Sequence, residues 1–157
     1  MIWLVHEWWI HDKLLHSEQE WMGTDIHGFH HLLPYYHVSI DGPGLAVAWF
    51  TAAAAAAFVL CPNVALALTA TFTYTVFGGV YEFCHYISHT RVPLKGYLKR
   101  VKQHHMQHHV VNDEYWLAFT LPSVDGLFGT LAEPKAVRRA DPTAKRAGRR
   151  RSGPAAD

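Results

Sequence analysis

Histidine is the residue type with the clearest chemical meaning in this chain. Neutral imidazole is the commonest metal ligand in proteins, and a helix places residues three or four positions apart on one face, about 5–6 Å from each other. Four or six ligands satisfy a single ion, so ten imidazoles in spaced sets predict two metal ions in a shared site. The ten candidate ligands, among thirteen histidines in 157 residues, are His6, His11, His27, His30, His31, His85, His89, His105, His108 and His109.

The spacing within the sets carries further information. Residues 105–109 repeat the three-histidine pattern of residues 27–31, which surface composition does not explain. His6 and His11 are five apart, roughly 140° around an α-helix, so a regular helix cannot aim both at one ion, although they could reach two neighbouring ions. His16 continues the five-residue step and could replace one of them. His37 and His104 are more typical of loop or supporting residues.

Carboxylates near the histidines could accept the outer N–H of ligating imidazoles and fix their tautomers. Solvated surface charge is the alternative for most of them. Glu82 differs, because it lies one helical turn before His85 at the predicted membrane edge. A carboxylate there costs free energy, so one is seldom present without a function. Glu82 is therefore the candidate catalytic residue among these carboxylates, which are Asp25, Asp41, Glu82, Asp113 and Glu114.

Two apolar runs predict membrane-spanning helices. Residues 45–61 and 64–81 contain no charged side chain, and each run is just long enough to cross a bilayer as a helix. Threonine alternates with apolar residues from 69 to 75, which is also typical of a half-buried strand. We favour a helix because a lone strand leaves its backbone unsatisfied in lipid.

The predicted fold class is an all-α membrane protein with one transmembrane helical hairpin, at about 45–61 and 64–84, and a cytosolic, helical, histidine-rich cap. The hairpin turns at Pro62-Asn63 and returns the chain to its side of entry. Basic residues from Arg91 to Lys102 follow the second helix, so the positive-inside rule places the histidines and both termini in the cytosol. Residues 3–22 are expected to lie at the membrane interface.

Two domains follow from composition. Residues 1–134 form the histidine-bearing domain, which we expect to be shortened at its N-terminus, and residues 135–157 form a basic, disordered tail. The tail has eight Lys/Arg against one acid between 135 and 151, a composition that favours anionic lipid rather than nucleic acid. Cys61 and Cys84 are predicted to be free thiols, and no signal peptide is evident.

Four strings resemble the fatty acid hydroxylase and sterol desaturase superfamily, and within it the fatty acid 2-hydroxylases most. They are His27-Gly-Phe-His-His-Leu-Leu-Pro, Tyr81-Glu-Phe-Cys-His-Tyr-Ile-Ser-His, Lys102-Gln-His-His-Met-Gln-His-His and Asp125-Gly-Leu-Phe-Gly-Thr. The resemblance implies an integral membrane monooxygenase with two metal ions, iron or, as isolated, zinc. It further implies O2 as co-substrate, a lipid acyl chain hydroxylated at position 2, and a separate electron donor of the cytochrome b5 or ferredoxin type. The ten histidines named above are the ligands that it implies.

Three alternatives remain at this stage. A related member of the superfamily could oxidise a sterol or carotenoid instead. A dizinc membrane hydrolase would use the same imidazoles, because zinc binds nitrogen ligands more tightly than ferrous iron and can activate water. A truncated, non-catalytic membrane protein that binds metal is the third.

Overall fold

The computed structural model describes residues 2–35, 43–118 and 120–138, and every regular element in these ranges is helical. This confirms the all-α prediction. His37, Asp41 and the tail beyond residue 138 lie outside the described residues. The α-helices are α1 (Ile2–Trp9), α2 (Met22–Leu32), α3 (Pro43–Leu60), α4 (Val64–Ser88), α5 (Gly96–Val110), α6 (Asp125–Phe128) and α7 (Pro134–Val137). A π-helical segment (Ile10–Leu15) continues α1, and a 3-10 turn (Pro122–Val124) precedes α6.

Helix α4 is the one helix of the described residues that is long and apolar enough to cross a membrane. It runs to Ser88, four residues beyond the predicted end at 84. The alternating threonines from 69 to 75, which are also typical of a strand, lie within α4. The hydroxyls of Thr69 and Thr75 donate to the carbonyls of Ala65 and Thr71, four residues earlier, so they need no partner outside their own helix.

Helix α3 packs against α4 across a three-residue connection. Asn63 ends that connection, and its side-chain oxygen accepts from the backbone N–H of Leu66 at 3.0 Å, capping the first turn of α4. α3 is apolar throughout but shorter than α4. The helix pair has the order and turn that the sequence predicts, while its crossing of a bilayer stays a prediction.

The outer faces of α3 and α4 expose large apolar side chains. Phe72 is 72% exposed and Val59 is 82% exposed, so these side chains gain nothing from the protein's own core. Contiguous exposed apolar surface on a soluble monomer is usually small. This surface is chemically suited to lipid and forms a belt that includes Val47, Phe58, Leu60, Val64, Leu66, Leu68, Val76, Val80 and Phe83.

Helix α1 joins the two halves of the core. On one side Trp3 packs with Tyr81, Cys84 and Val101, which lie on α4 and α5. On the other side Trp8 packs with the loop that follows α5, at Leu117, Ala118 and Val124. α1 is thereby held between α4 and the C-terminal segment, and the π-helical segment that follows it is directed at the histidine-bearing faces of α2 and α5.

Candidate metal centre

Ten histidines converge in two groups of five. Within each group one ring nitrogen of every residue lies within 4.8 Å of the others. The residues are drawn from 11 to 109, so only the tertiary fold brings them together. We call the groups A and B: group A is His11, His16, His27, His31 and His108, and group B is His30, His85, His89, His105 and His109.

Group A depends on the π-helical segment. The backbone N–H of His16 donates to the carbonyl of His11 at 3.1 Å, an i→i+5 hydrogen bond. This wider turn aligns residues five apart, which a regular α-helix would set about 140° apart. His27 and His31, four apart on α2, meet the pair, with Nε2 of His27 lying 3.2 Å from that of His11 and 2.9 Å from that of His16. His108 from α5 completes the group.

Group B uses ordinary helical spacing. His85 and His89 are four apart at the end of α4, and His105 and His109 are four apart on α5. Nε2 of His89 lies 2.8 Å from Nε2 of His105. His30, from α2, places its Nε2 2.8 Å from that of His85.

The two groups adjoin because neighbouring histidines divide between them. His30 belongs to group B and His31 to group A, and His109 and His108 divide in the same way. The rings of His31 and His109 stack with centroids 4.1 Å apart. Two ions held by these groups would therefore be close neighbours, as the sequence predicts for a shared binuclear site.

Backbone carbonyls fix the orientation of three of the rings. Nδ1 of His11 lies 2.6 Å from the carbonyl oxygen of Leu117. Nδ1 of His108 lies 2.8 Å from the carbonyl oxygen of Tyr115, and Nδ1 of His89 lies 2.6 Å from that of Pro34. A carbonyl only accepts, so Nδ1 carries the hydrogen and Nε2 presents its lone pair to the group. Metal-ligating histidines are commonly oriented in this way, by a hydrogen bond from the ring nitrogen that does not bind the metal.

The separations of the nitrogen atoms fit metal coordination. With metal–nitrogen bonds of about 2.0–2.1 Å, two ligands at a right angle have nitrogens about 2.9 Å apart, and two at a tetrahedral angle about 3.4 Å apart. The Nε2 atoms of His31 and His108 are 3.1 Å apart, as are those of His27 and His31. Each group could hold one metal ion. Imidazole suits zinc, copper, iron and nickel, so the donor set leaves the identity of the metal open.

Burial keeps the imidazoles neutral, as metal binding requires. Desolvation, reinforced by His89 and His11, lowers the pKa of His30 to about 3. Desolvation also lowers the pKa of His89 to about 4, although its hydrogen bond to Pro34 opposes the shift. Desolvation followed by neighbouring imidazoles lowers the pKa well below its ordinary value in His27, His31, His105, His108 and His109.

The structure places one predicted ligand, His6, outside both groups. Nδ1 of His6 lies 2.9 Å from the hydroxyl of Tyr74, and its ring stacks on Trp49. His16 stands in group A instead, and the other nine predicted histidines come together. Glu82 also lies outside both groups, half-buried on the wall of an apolar pocket. Of the remaining carboxylates, Asp25 and Glu114 are exposed.

Asp125 is a buried residue that the sequence analysis gave no role. It is 0% exposed. Its carboxylate accepts from the backbone N–H groups of Leu117 and Ala118, both at 3.0 Å, and Nε2 of His104 lies 2.6 Å from it. Asp125 thus holds the segment whose Leu117 carbonyl orients His11. The only sequence signal was its place in the string Asp125-Gly-Leu-Phe-Gly-Thr, which contains no histidine.

An apolar pocket adjoins the histidines. Its walls come from α1, the π-helical segment, α3 and α4, and the tryptophan ring of Trp21 closes one side. Tyr81 connects it to group B, since the rings of Tyr81 and His85 have centroids 5.9 Å apart. Two carboxylates interrupt the apolar lining, Glu7 and Glu82. The remaining wall residues are Trp3, Ile10, Leu15, Leu45, Ala46, Trp49, Phe50 and Gly78.

Comparison with known proteins agrees with this site. The family model for fatty acid hydroxylase matches residues 1–130. The chain belongs to the fatty acid hydroxylase family. Hydroxylases are oxidoreductases, and the matched region contains all ten histidines of groups A and B. The family resemblance found in the sequence is therefore confirmed.

Among curated proteins, the chain is similar to the dihydroceramide fatty acyl 2-hydroxylase FAH1 of Arabidopsis thaliana, with 30% identity over 153 residues. The alignment covers 88% of this chain and 60% of that protein. The chain thus spans about three fifths of the length of this relative. No solved structure matches the chain.

Proposed function

We propose that this protein is an O2-dependent, dimetal membrane hydroxylase that places a hydroxyl group at position 2 of a lipid acyl chain. The observation that carries the proposal is the pair of adjoining five-histidine groups beside an apolar pocket, in a chain of the fatty acid hydroxylase family. The family relative acts on a dihydroceramide fatty acyl group according to its name, so an acyl amide is the first substrate to test.

We propose iron as the metal in both groups. Cleavage of an unactivated C–H bond needs an oxidant stronger than any side chain, and two reduced irons that react with O2 supply one. The protein's part is to hold ten neutral imidazoles in fixed orientation. The carbonyls of Leu117, Tyr115 and Pro34 do this for three of the rings through Nδ1.

The apolar pocket is the proposed binding site for the acyl chain. Its aromatic and aliphatic walls exclude water from the carbons next to group B. Glu82 interrupts these walls one helical turn before His85. We propose that the Glu82 carboxylate accepts a hydrogen bond from the amide or hydroxyl group of the lipid, which would fix position 2 rather than a later carbon beside the metals.

We propose that the protein is an integral membrane protein with the histidines and both termini on the cytosolic side. α4 has the length and composition of a spanning helix, and the apolar belt of α3 and α4 suits lipid. Five basic residues follow α4 with no acidic residue among them, at Arg91, Lys95, Lys99, Arg100 and Lys102. Positive charge next to a spanning helix marks the cytosolic end.

The reaction also needs two electrons for each O2. We propose a separate one-electron carrier of the cytochrome b5 or ferredoxin type as their source. The basic tail from residue 135 is proposed to rest on anionic lipid.

The test measures hydroxylated lipid by mass spectrometry. Cells that express the unmodified chain are expected to accumulate 2-hydroxyacyl lipids, whereas the variant with His105→Ala and His108→Ala, which removes one ligand from each group, is expected to accumulate none. Equal lipid profiles in the two strains would contradict the proposal. Tyr35→Phe, at an exposed tyrosine outside both histidine groups and the pocket, serves as a control that should retain the product.

The same assay separates the dizinc hydrolase from the oxygenase. Metal content of the purified protein does not distinguish them, because zinc displaces ferrous iron from nitrogen ligands. Turnover that stops when O2 or reductant is withdrawn supports the hydroxylase. Product release that continues without O2 would establish hydrolysis.

A further inference from the structure

His6 is the predicted ligand that the metal site does not use, and its surroundings point to a different role. Trp49 Nε1 lies 2.7 Å from the Tyr74 hydroxyl oxygen, and that oxygen lies 2.9 Å from His6 Nδ1. An indole N–H only donates, so Trp49 donates to Tyr74. With the hydrogen of the His6 imidazole on Nε2, the Tyr74 hydroxyl donates its own hydrogen to His6 Nδ1.

This arrangement prepares Tyr74 for loss of an electron together with a proton. A phenol becomes much easier to oxidise when a base accepts its proton, and an acceptor within about 2.6–3.2 Å is close enough for direct transfer. His6 Nδ1 meets that distance and lies outside both histidine groups. The hydrogen bond from Trp49 fixes the phenol oxygen in line with this acceptor.

A continuous series of aromatic rings connects Tyr74 to group B. The ring centroids are 4.7 Å apart for Tyr74 and Trp3, 6.2 Å for Trp3 and Tyr81, and 5.9 Å for Tyr81 and His85. All three pairs meet edge to face, in the range where aromatic rings are in contact. Trp3 and Tyr81 are buried, so solvent does not interrupt the series.

Two rings of this series, Trp3 and Tyr81, also line the apolar pocket, together with Trp49. An acyl chain bound there would contact these rings and compete with them for oxidation. When the pocket holds no lipid, Tyr81, Trp3 and Tyr74 offer an oxidisable route away from group B.

We propose that Tyr74, with His6 as its proton acceptor, is an electron donor that discharges the oxidised metal centre when O2 reacts in the absence of lipid. This inference rests on the proposed function, which supplies the oxygen-oxidised metal centre as the oxidant. Tyr81 and Trp3 relay the electron.

One electron leaves Tyr74 and reduces the metal centre by one, and the phenol proton moves to His6 Nδ1. The products are a neutral tyrosyl radical and a singly charged imidazolium. A soluble one-electron reductant of the ascorbate class then reduces the radical, and the proton returns from His6 to the phenolate oxygen.

The test is electron paramagnetic resonance on the iron-loaded full chain in detergent, without lipid substrate, freeze-quenched after exposure to O2 and reductant. We expect an organic radical whose hyperfine pattern changes when ring-deuterated tyrosine is incorporated. Tyr74→Phe should lose this signal. Tyr86→Phe, at an exposed tyrosine on the same helix, is the matched control that should keep it.

A second variant tests the proton acceptor. His6→Phe retains an aromatic ring against Trp49 but has no nitrogen, and it should also lose the tyrosyl signal although Tyr74 is present. Iron content equal to that of the unmodified chain confirms that each variant folds. An undiminished radical in Tyr74→Phe, or a radical insensitive to tyrosine deuteration, would overturn the inference.

Lipid hydroxylation by the same preparation separates this inference from the proposed function. If the chain hydroxylates lipid but forms no tyrosyl radical without it, the relay is wrong and the hydroxylase stands. If the chain neither consumes O2 nor hydroxylates lipid, both are wrong.

Discussion

The histidines of this chain differ in which ring nitrogen the protein leaves available. In His11 and His108 a backbone carbonyl engages Nδ1, so Nε2 presents its lone pair to group A. In His6 the hydroxyl of Tyr74 engages Nδ1 and the ring packs on Trp49. Hydrogen bonding thus separates candidate metal ligands from a histidine proposed as a proton acceptor, although His6 and His11 lie only five residues apart.

The first prediction compares His16 with His6. His16→Ala removes one of the five imidazoles of group A, and the four that remain can still complete a tetrahedral site. Metal titration should therefore find two ions per chain, with the ion of group A bound more weakly than in the unmodified chain. His6→Ala leaves both groups intact and should bind both ions with unchanged affinity. Weakened binding in His6→Ala alone would show that His6 is the ligand.

The second prediction concerns pH. The pKa of His30 falls to about 3 and that of His89 to about 4 in the folded chain, against about 6.5 for an unfolded histidine. Below pH 6.5 the unfolded state therefore binds more protons, and folding free energy is lost as pH falls, by up to about 1.4 kcal/mol per pH unit for each such histidine. The loss levels off as pH falls through 4 and then 3.

Thermal unfolding of the metal-free protein in detergent should accordingly show a midpoint that is level above pH 7 and decreases steadily from pH 6.5 to 4. Added metal should oppose the decrease at its upper end, because ions and protons compete for the same nitrogens. A midpoint independent of pH across this range would contradict the assigned burial of these rings.

The residue pattern was informative where the helix is regular. Spacing of four brings His27 to His31 and His105 to His109, and the structure shows both pairs together. The sequence could not reveal the π-helical turn, because Ile10–Leu15 contains no residue that specifies i→i+5 bonding. It also could not reveal the carbonyl partners, since every residue has a carbonyl and only the fold decides which one faces a ring.

At the scale of elements, the site depends on a C-terminal segment that contains no metal ligand. The loop from Asn112 to Thr130 returns to α1, where the N–H of Thr120 donates to the buried carboxylate of Glu7 at 2.7 Å and Trp8 donates to Thr130 at 2.9 Å. Asp125 anchors the loop internally. The loop then supplies the Leu117 and Tyr115 carbonyls to group A.

The third prediction follows from Asp125. Asp125→Asn keeps the size of the side chain but turns an N–H toward one of the backbone N–H groups, of Leu117 or Ala118. Leaving a buried donor unsatisfied costs about 1–3 kcal/mol. Loss of the support to His11 should weaken metal binding at group A by about 10–100-fold, as for other outer partners of ligating histidine.

Metal titration with group B as internal reference measures that effect. Glu114→Gln, the same change from acid to amide at an exposed position in the same loop, is the matched control and should leave both affinities unchanged. Equal weakening of groups A and B by Asp125→Asn would indicate general destabilisation, in contradiction to a specific role in orienting His11.

The fourth prediction uses two adjacent glycines of α4. A Cβ at Gly78 would lie 2.5 Å from ring carbons of Phe50, whereas a Cβ at Gly79 meets no described heavy atom within 4 Å. Gly78→Ala must displace Phe50, a wall residue of the apolar pocket, and should cost about 1–3 kcal/mol in stability by overpacking. Gly79→Ala should be neutral or stabilising by up to about 1 kcal/mol, because alanine favours helix.

Measurements of unfolding and of lipid hydroxylation on the two variants test this difference. Gly78→Ala is expected to raise the KM for the lipid, because the displaced phenyl ring narrows the pocket while the histidines stay in place. Two variants with equal stability and equal KM would show that α3 and α4 do not approach each other at Gly78.

The elements themselves were largely predictable. Absence of charge and suitable length predicted α3 and α4 within a few residues, and the Pro62-Asn63 turn fell where expected. The predicted span ends at about 84, whereas the helix continues to Ser88, and both His85 and Ser88 are buried. Tertiary burial, which composition does not record, sets this boundary.

At the scale of the whole molecule, the apolar surface and the histidine groups occupy different ends of α4. The belt of exposed apolar side chains runs from Val64 to Phe83, and the ligands follow from His85. If α4 crosses a bilayer and the two groups bind metal, the metals lie at the end of α4 that adjoins the basic segment from Arg91. The proposed reaction then takes place at one membrane face.

The fifth prediction tests that face with the two cysteines. Cys61 is half-buried in the connection between α3 and α4, while Cys84 is 3% exposed. If α3 and α4 cross the bilayer and the histidines are cytosolic, Cys61 lies on the opposite side. In sealed vesicles with the cytosolic face outward, an impermeant maleimide should therefore label Cys61 only after the membrane is permeabilised.

Lys95→Cys, at an exposed position after α4, should be labelled in the same vesicles without permeabilisation, and Cys61→Ser should abolish the background from the native thiols. The orientation that exposes Lys95→Cys to the maleimide hides Cys61, and the opposite orientation exposes Cys61. Each thiol therefore serves as the control for the other. Labelling of Cys61 alone in intact vesicles would reverse the proposed orientation, whereas labelling of both Cys61 and Lys95→Cys would place both ends of α4 on one face. The acyl chain would then have to reach the histidines from the surface of the bilayer rather than along a helix within it.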